Sequence, residues 1–232
     1  MPETYYIGLD LGQRADYTAI TVLQRVERTA PPEIGRELAF HLRTEGRPAP
    51  YAKTEPRRSN DYHLVHLERV PLGTPYTAVA EKVKRMQTAG PLRGARTFVV
   101  ADVTGVGLPV FEMLKAGGVT GLKGVSIHGG DAVTRDGAVY RVPKRDLVST
   151  LQVLTQQGRL KAADGLPDWP VLRHEMQNFR AKINLASGHD GYEAWREGDH
   201  DDLVLSLAMA CWLAEYRPPW DVRDLPQVRS PL

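Results

Sequence analysis

Four aspartates lie at the ends of apolar segments of this chain. Asp10 and Asp102 each close a short apolar run, and the adjacent pair Asp201 and Asp202 precedes a long apolar run with helical character. A carboxylate is costly to bury unless a cation or strong hydrogen-bond donors compensate its charge. If the three places converge, their oxygen atoms would bind one or two Mg²⁺ or Mn²⁺ ions. Two such ions can clamp a phosphodiester, activating a water on one side and stabilising the leaving oxygen on the other.

Each place also has a structural interpretation that needs no metal. Asp10 could open a turn before Gly12, and Asp201 or Asp202 could cap a helix, since aspartate is favoured at the N-cap and in the first turn. A single residue is enough to cap a helix, whereas this chain has Asp-His-Asp-Asp at positions 199–202. The excess of acidic residues favours the metal-site hypothesis, while His200 is equally compatible with a plain surface position.

Short apolar runs rich in branched and aromatic side chains predict the strands that carry these residues. The run 5–12 predicts a first strand, on which Asp10 shares a face with Gly8 because side chains alternate. The run 17–26 predicts a second strand, paired with the first as an antiparallel hairpin. Further strands are predicted at 62–70, 97–102 and 119–128.

Helices are predicted where apolar residues recur at helical spacing and where a proline or glycine marks an end. They cover residues 75–88, 107–116, 143–157, 169–179 and 203–216, with a turn at 135–137 and a strand or hairpin at 180–193. Strands dominate the first part of the chain, and helices alternate with them later. This order predicts an α/β fold with a mixed β-sheet and helices on both faces.

The length and composition are those of one globular domain. Of 232 residues, 42% are hydrophobic and 25% are charged, which excludes collagen-like, coiled-coil and acidic-tail classes. We expect one domain over residues 1–217 and a tail at 218–232. A proline-rich, charged excursion at 29–60, with a short strand at 38–42, would interrupt the domain. The net charge of +2 and the pI of about 8.6 permit nucleic-acid binding without requiring it.

Cysteine usage and hydropathy indicate the compartment. The single cysteine, Cys211, lies in an apolar run and excludes an internal disulfide framework, so a reducing cytoplasm is expected. The N-terminus carries no basic-then-apolar signal, and no apolar run approaches the roughly 18 residues of a membrane span. We therefore expect a soluble intracellular protein.

Four short motifs, in their order along the chain, resemble those of the C-terminal nuclease domain of phage terminase large subunits. They are Gly8-x-Asp10-x-Gly12 with Asp16-x-Thr18, Asp102-x-Thr104-Gly-x-Gly107, Val142-Pro-Lys144 at a helix start, and His200-Asp-Asp-Leu-Val204. The resemblance spans nearly the whole chain. It implies an RNase H-like fold, which RuvC-type resolvases share. It also implies a hydrolase, namely a metal-dependent endonuclease that cuts double-stranded DNA during genome packaging.

The resemblance assigns roles to the aspartates by position. Asp10 and Asp102 would be the first and second metal ligands, and the third would come from Asp201 or Asp202. Asp202 is favoured, because its spacing to the alanine-rich helix is closest to the RuvC pattern. Many relatives carry a further acidic residue where this chain has Leu205, so no ligand is expected there. The implied cofactor is a pair of Mg²⁺ or Mn²⁺ ions.

A full terminase also carries an ATPase motor, yet the phosphate-loop pattern G-x-x-x-x-G-K-[ST] does not occur in this sequence. The resemblance therefore implies either an excised nuclease domain or a stand-alone relative. Its expected partners are double-stranded DNA and, within a packaging machine, a terminase small subunit, a portal and a separate ATPase motor. The isolated domain is expected to be a monomer without membrane contact, in the host cell cytoplasm if a phage or prophage encodes it.

Basic residues supply the candidates for DNA contact. Arg141, Lys144 and Arg145 lie just before and within a predicted helix start, and Arg57 and Arg58 lie at the end of the long excursion. Arginine, lysine and helix N-termini are the usual partners of phosphates. Lys144 is preferred because the Val-Pro-Lys pattern matches the family, although a solvated surface charge is the alternative for each of these residues.

Other functions compete with the nuclease. The opening Gly-x-Asp-x-Gly also resembles the first phosphate loop of actin-like and sugar-kinase ATPases, and the motif that begins at Asp102 could imitate their second loop. Those ATPases need two such domains and a longer chain, and they lack an acidic pair before a helix. A RuvC-like junction resolvase and a catalytically silent DNA-binding scaffold are further alternatives. The intact Asp10, Asp102 and Asp202 argue against a silent site.

Overall fold

The computed structural model describes residues 3–12, 16–30, 57–104, 107–185 and 201–216. Its strands are β1 (Thr4–Asp10), β2 (Thr18–Ala30), β3 (Arg57–Val70), β4 (Arg96–Asp102), β5 (Leu122–His128), β6 (Thr134–Asp136), β7 (Val139–Pro143) and β8 (Leu160–Ala162). Its helices are α1 (Tyr76–Thr88), α2 (Gly107–Ala116), α3 (Lys144–Gln156), α4 (Trp169–Leu185) and α5 (Asp202–Glu215), with a short 3₁₀ turn at Gly90–Leu92.

The eight described strands form one mixed sheet in the order β6-β7-β5-β4-β1-β2-β3-β8. β1, β2 and β3 form an antiparallel meander, whereas β4, β5 and β7 continue the sheet in the same direction as β1. Parallel neighbours need a crossover connection, and α2 supplies it between β4 and β5. The predicted α/β, RNase H-like class with a mixed sheet is confirmed.

Alternation along β1 sends its side chains into two separate cores. Ile7 and Leu9 belong to the core that α1 and α2 cover, whereas Tyr6 belongs to the core that α3, α4 and α5 cover. α5 is apolar around nearly its whole circumference, and accordingly eleven of its residues are buried. The prediction of helices on both faces of the sheet is confirmed.

Gly8 allows α5 to lie directly against β1. A Cβ atom at this position would come within 2.0 Å of the Ser206 backbone oxygen, so no larger residue fits. The Ser206 hydroxyl lies 3.0 Å from the Gly8 carbonyl oxygen, to which it donates, and 2.9 Å from Thr21 Oγ1. These buried contacts fix the height and the register of α5 over the sheet.

Several element boundaries differ from the predictions. β2 continues to Ala30 and β3 begins at Arg57, because the two strands pair as a long hairpin beyond the stretch that the apolar pattern marks. Residues 180–185, predicted as a strand or hairpin, continue α4, since alanine, lysine and leucine propagate a helix that has already begun. The predicted strand at 38–42, residues 186–193 and the tail at 218–232 lie outside the described residues.

Three strands, β6, β7 and β8, were not predicted from the sequence. The predicted turn at 135–137 is wrong for Arg135 and Asp136, which belong to β6, because β6 and β7 pair as an antiparallel hairpin around Gly137. β6 and β8 have three residues each, too few for an alternating pattern to show. Among the described residues, no helix combines the length and the hydropathy that crossing a membrane requires.

Candidate active site

Two neighbouring strands deliver Asp10 and Asp102 to the same edge of the sheet. β1 and β4 are parallel, and Leu9 lies opposite Ala101 in their register. The next residue of each strand is an aspartate, so Asp10 and Asp102 end adjacent strands that are about 4.8 Å apart. Because side chains alternate, both carboxylates point to the side of the sheet that α5 covers.

The start of α5 brings in Asp201 and Asp202. Asp202 is the first residue of the helix and is only 7% exposed. One helical turn later, Ser206 contacts the Gly8 carbonyl. Asp202 lies on the same face of α5 as Ser206, and it therefore extends toward the end of β1. Asp201 immediately precedes the helix.

The electrostatics show that these carboxylates share one site. Burial raises the pKa of Asp10 well above the ordinary aspartate value, and four neighbouring carboxylates raise it further. In order of effect they are Asp102, Asp202, Asp201 and Glu175. The structure thus brings together the four aspartates that the sequence singled out, and it adds a glutamate.

Glu175 and Arg69 belong to the same cluster, although sequence reasoning missed both. Glu175, in α4, is 4% exposed, and its Oε2 accepts a hydrogen bond from the Val204 backbone N at 2.8 Å. Its Oε1 accepts another from Arg69 Nη2 at 2.5 Å, and the same Nη2 lies 3.9 Å from Asp202 Oδ2. Burial raises the pKa of Glu175 to about 7, although both hydrogen bonds act in the opposite direction. One feature of the sequence could have identified Glu175. It lies one helical turn after the core residue Leu172, on the face of the predicted helix that would be buried.

Helix capping does not account for Asp201. This residue occupies the N-cap position of α5, but its side chain makes no capping hydrogen bond. The backbone N of Val204, in the first turn of α5, donates to Glu175 instead. If Asp201 were only a helix cap, its side chain would accept a hydrogen bond from a backbone N–H in the first turn of α5. A glutamate from a neighbouring helix accepts such a bond instead.

Thr104 fixes the end of β4. Its backbone N donates to Asp102 Oδ1 at 2.7 Å, which closes a tight turn after the strand. Its hydroxyl accepts a hydrogen bond from the Ile127 backbone N at 2.7 Å, which ties the turn to β5. The Asp-x-Thr part of the second motif therefore has a local role: it sets the direction of the Asp102 carboxylate.

The donor set fits a hard divalent cation. The carboxylates around Asp10 supply only oxygen atoms, which Mg²⁺ and Mn²⁺ prefer. The raised pKa of Asp10 shows that the positive charge nearby does not offset the negative charge of the surrounding carboxylates. As they stand, no three His, Cys, Asp or Glu side chains in the described part of the chain form a ready group of metal ligands. Ion binding would therefore require rotation of these side chains toward one another.

Lys144 lies at the same edge of the sheet as the acidic cluster. β7 runs parallel to β5, and its last residue, Pro143, leads directly into Lys144 at the start of α3. Because β7 lies two strands away from β4, Lys144 is displaced from Asp102 by about 10 Å across the sheet. Tyr140 of β7 is level with Asp102, and Lys144 follows Pro143, so it lies at least about 10 Å further along the strands as well. The neighbouring Arg145 is exposed and paired with Asp131, at 2.6 Å between Nη1 and Oδ1.

The other basic candidates are placed differently. Arg141 is exposed in the middle of β7, opposite Ser126 of β5. Arg141 is nearly level with Asp102 in the register, but its neighbours Tyr140 and Val142 point to the core under α5, so Arg141 points to the opposite face of the sheet. Arg57 and Arg58 open β3, whereas Arg69 near the end of the same strand contacts the acidic cluster. The length of β3 places Arg57 and Arg58 roughly 35 Å from that cluster. Contact with them would need a duplex that follows β3 along its whole length.

Comparisons with known proteins give a structural relative. No family model matches the sequence, and no curated protein matches it. The fold is similar to that in the crystal structure of the large terminase nuclease from the thermophilic phage G20c, with 21% identity and a TM-score of 0.47. The match covers 93% of this chain and 83% of the other, so the chain is similar over most of its length to a phage large terminase nuclease.

Proposed function

We propose that this chain is an endodeoxyribonuclease that hydrolyses double-stranded DNA with two Mg²⁺ or Mn²⁺ ions. The observation that carries the proposal is the convergence of Asp10, Asp102 and Asp202 where β1, β4 and α5 meet. The order of the sequence motifs supports a role in phage genome packaging. A terminase small subunit, a portal and a separate ATPase motor would then be its partners.

The residues of the site have separate tasks in this reaction. Bound ions would supply Lewis-acid activation of the phosphodiester and of the attacking water. Asp10 and Asp102 would hold them from two adjacent strands, and Asp202 would hold them from α5. Asp201 adds negative charge beside this set. Because the carboxylates stand on a sheet and a buried helix, the site keeps its shape better than a site built on loops.

A comparison of substrates and metals tests the proposal. We expect the purified protein to nick and linearise supercoiled plasmid with Mg²⁺ or Mn²⁺, and to leave it intact in EDTA. A four-way junction should be cut no faster than a plain duplex, and ATP should be neither hydrolysed nor bound. Cleavage confined to the junction would indicate a RuvC-like resolvase, and ATP turnover would indicate an actin-like ATPase. DNA binding without cleavage under every metal condition would indicate a scaffold.

Lys144 and Arg145 are proposed to hold the phosphate backbone beside the site. Replacing both by alanine should weaken duplex binding about equally for all sequences. The slope of log K against log salt should fall by on the order of one to two, since each phosphate contact releases counterions. Fluorescence anisotropy at several salt concentrations measures both quantities. Raising the protein concentration should restore much of the cleavage, because the metal ligands are untouched.

The matched control removes two cations at the opposite edge of the sheet. Arg85 and Lys115 are exposed in the last turns of α1 and α2, and Lys115 pairs with Glu112 much as Arg145 pairs with Asp131. Alanine at both positions should leave the affinity and the salt slope close to those of the parent. Equal losses in the two double variants would show that only the net charge matters.

A further inference from the structure

Arg69 makes contacts with three elements around the acidic cluster. Its side chain bonds to Glu175 of α4 and lies 3.9 Å from Asp202 at the start of α5. Its backbone N donates to Asp168 Oδ2 at 2.9 Å, just before α4. Its guanidinium also lies 5.1 Å from the centre of the Tyr17 ring. Arg69 therefore connects the end of β3 to the ends of two helices.

The sheet places this arginine in line with the proposed metal ligands. Arg69 lies opposite Ala19 of β2, and Ala19 lies opposite Asp10 of β1. Directly opposed residues of a sheet point to the same face. The guanidinium and the Asp10 carboxylate thus approach α5 from the same side, separated by the small side chain of alanine.

Glu175 completes the connection from the other side. Its carboxylate accepts one hydrogen bond from Arg69 and one from the Val204 backbone N in the first turn of α5. The Glu175 carboxylate therefore binds the Arg69 guanidinium and the N-terminal end of α5 at the same time. Both side chains are largely enclosed, with 18% of the Arg69 side chain and 2% of the Glu175 side chain exposed. Paired charges in such surroundings are screened little by solvent and hold a defined geometry.

The Arg69 side chain is not satisfied in full. Its Nε atom is buried without a hydrogen-bond partner among the described residues. Leaving a buried donor unpaired costs free energy. The contacts of this guanidinium with the acidic cluster are therefore made at Nη2, which bonds to Glu175 and lies near Asp202.

We propose that Arg69 and Glu175 are positioning residues that hold Asp202 and the start of α5 beside Asp10, so that only rotation of the side chains remains when metal ions bind. The inference rests on the proposed function, because it concerns the same carboxylates. The contact between Arg69 and Asp202 is ionic and longer than a hydrogen bond. Residues that orient metal ligands from outside the coordination sphere typically change metal affinity by about 10–100-fold when they are replaced.

The test variant is Arg69→Lys, which keeps the charge and removes the planar fork. A lysine ammonium is a compact point charge on a flexible stem, and it cannot hold Glu175 and Asp202 with the same geometry. We expect the Kd for Mn²⁺, measured by isothermal titration calorimetry without DNA, to rise by at least about 10-fold. Saturating Mn²⁺ should restore most of the cleavage rate.

The matched control is Arg159→Lys at the other end of α5. Arg159 pairs with Glu215 at 2.8 Å, its side chain is 17% exposed, and it too joins α5 to the sheet region. Its replacement should lower the melting temperature without changing the Kd for Mn²⁺. A second variant, Glu175→Gln, keeps an acceptor for Val204 but loses the ionic bond to Arg69, and it should weaken Mn²⁺ binding as Arg69→Lys does.

The outcomes separate this inference from the proposed function. If the parent binds Mn²⁺ and Arg69→Lys binds it equally well, the arginine is only structural and the inference is overturned. The same holds if Arg159→Lys weakens binding as much as Arg69→Lys, since general destabilisation would then explain both. A parent that binds no Mn²⁺ refutes the proposed function, and the inference falls with it.

Discussion

Asp10→Asn is expected to reduce plasmid cleavage by at least about 10³-fold while the protein stays folded, because asparagine keeps the shape but not the charge of a metal ligand. Asp102→Asn should have the same effect, since both residues end adjacent strands at the same edge. Initial rates of nicking at saturating Mn²⁺ measure the loss. Normal cutting by Asp10→Asn would refute the proposed mechanism.

Asparagine variants also distinguish the two aspartates at the start of α5. Asp202→Asn should match the loss in Asp10→Asn, because Asp202 is buried over the end of β1. Asp201→Asn should cost less, since its charge has a smaller effect on Asp10 than that of Asp202. Asp136→Asn is the charge-matched control, because Asp136 is exposed in the edge strand β6. A larger loss in Asp201→Asn than in Asp202→Asn would reverse the assignment of the third ligand.

The metal-free protein is expected to become less stable as the pH rises from about 5 to 8. The pKa of Asp10 is raised well above its ordinary value, and that of Glu175 is raised from 4.5 to about 7. The folded state therefore binds these protons more tightly than the unfolded state does. The resulting stabilisation is complete below the unfolded pKa values and is lost as the pH passes through the folded ones. For Glu175 alone, the free energy of unfolding falls by about 3 kcal/mol across this pH range.

Melting curves between pH 5 and 8, with and without Mn²⁺, measure this dependence. Glu175→Gln should flatten the metal-free curve, whereas Glu112→Gln, an exposed change in α2, should leave it unaltered. Added Mn²⁺ should stabilise the parent more at pH 8 than at pH 5, because the ions bind deprotonated carboxylates. A metal-free parent whose stability rises toward pH 8 would contradict the predicted crowding of negative charge.

Asp10→Asn should also raise the melting temperature of the metal-free protein at pH 8. It removes the carboxyl whose charged form is disfavoured by burial and by four other carboxylates. With Mn²⁺ present the order should reverse, since the parent then gains the free energy of ion binding. This exchange of order separates loss of a metal ligand from simple misfolding.

The sequence by itself determined the central strands and the places of the four aspartates. Alternating apolar runs and their closing carboxylates are local features, so Asp10 and Asp102 could be recognised as strand ends without knowledge of the fold. The strongly apolar character of α5 was equally visible, because it depends on composition alone, and the structure adds that the helix is buried. The resemblance of the motifs added the RNase H-like class, which the sheet order confirms.

The tertiary structure alone decided which groups surround those aspartates. Arg69 and Glu175 lie more than a hundred positions apart in the sequence, and neither stands in a motif. They meet because the first part of α4 lies beside the end of β3, and contacts between such distant segments leave no periodic trace in the sequence. The position of α5 over Asp10 depends on Gly8, where the absence of a side chain lets the helix backbone reach the sheet. Local pattern therefore places the acidic residues on their elements, whereas packing between elements determines which charges meet.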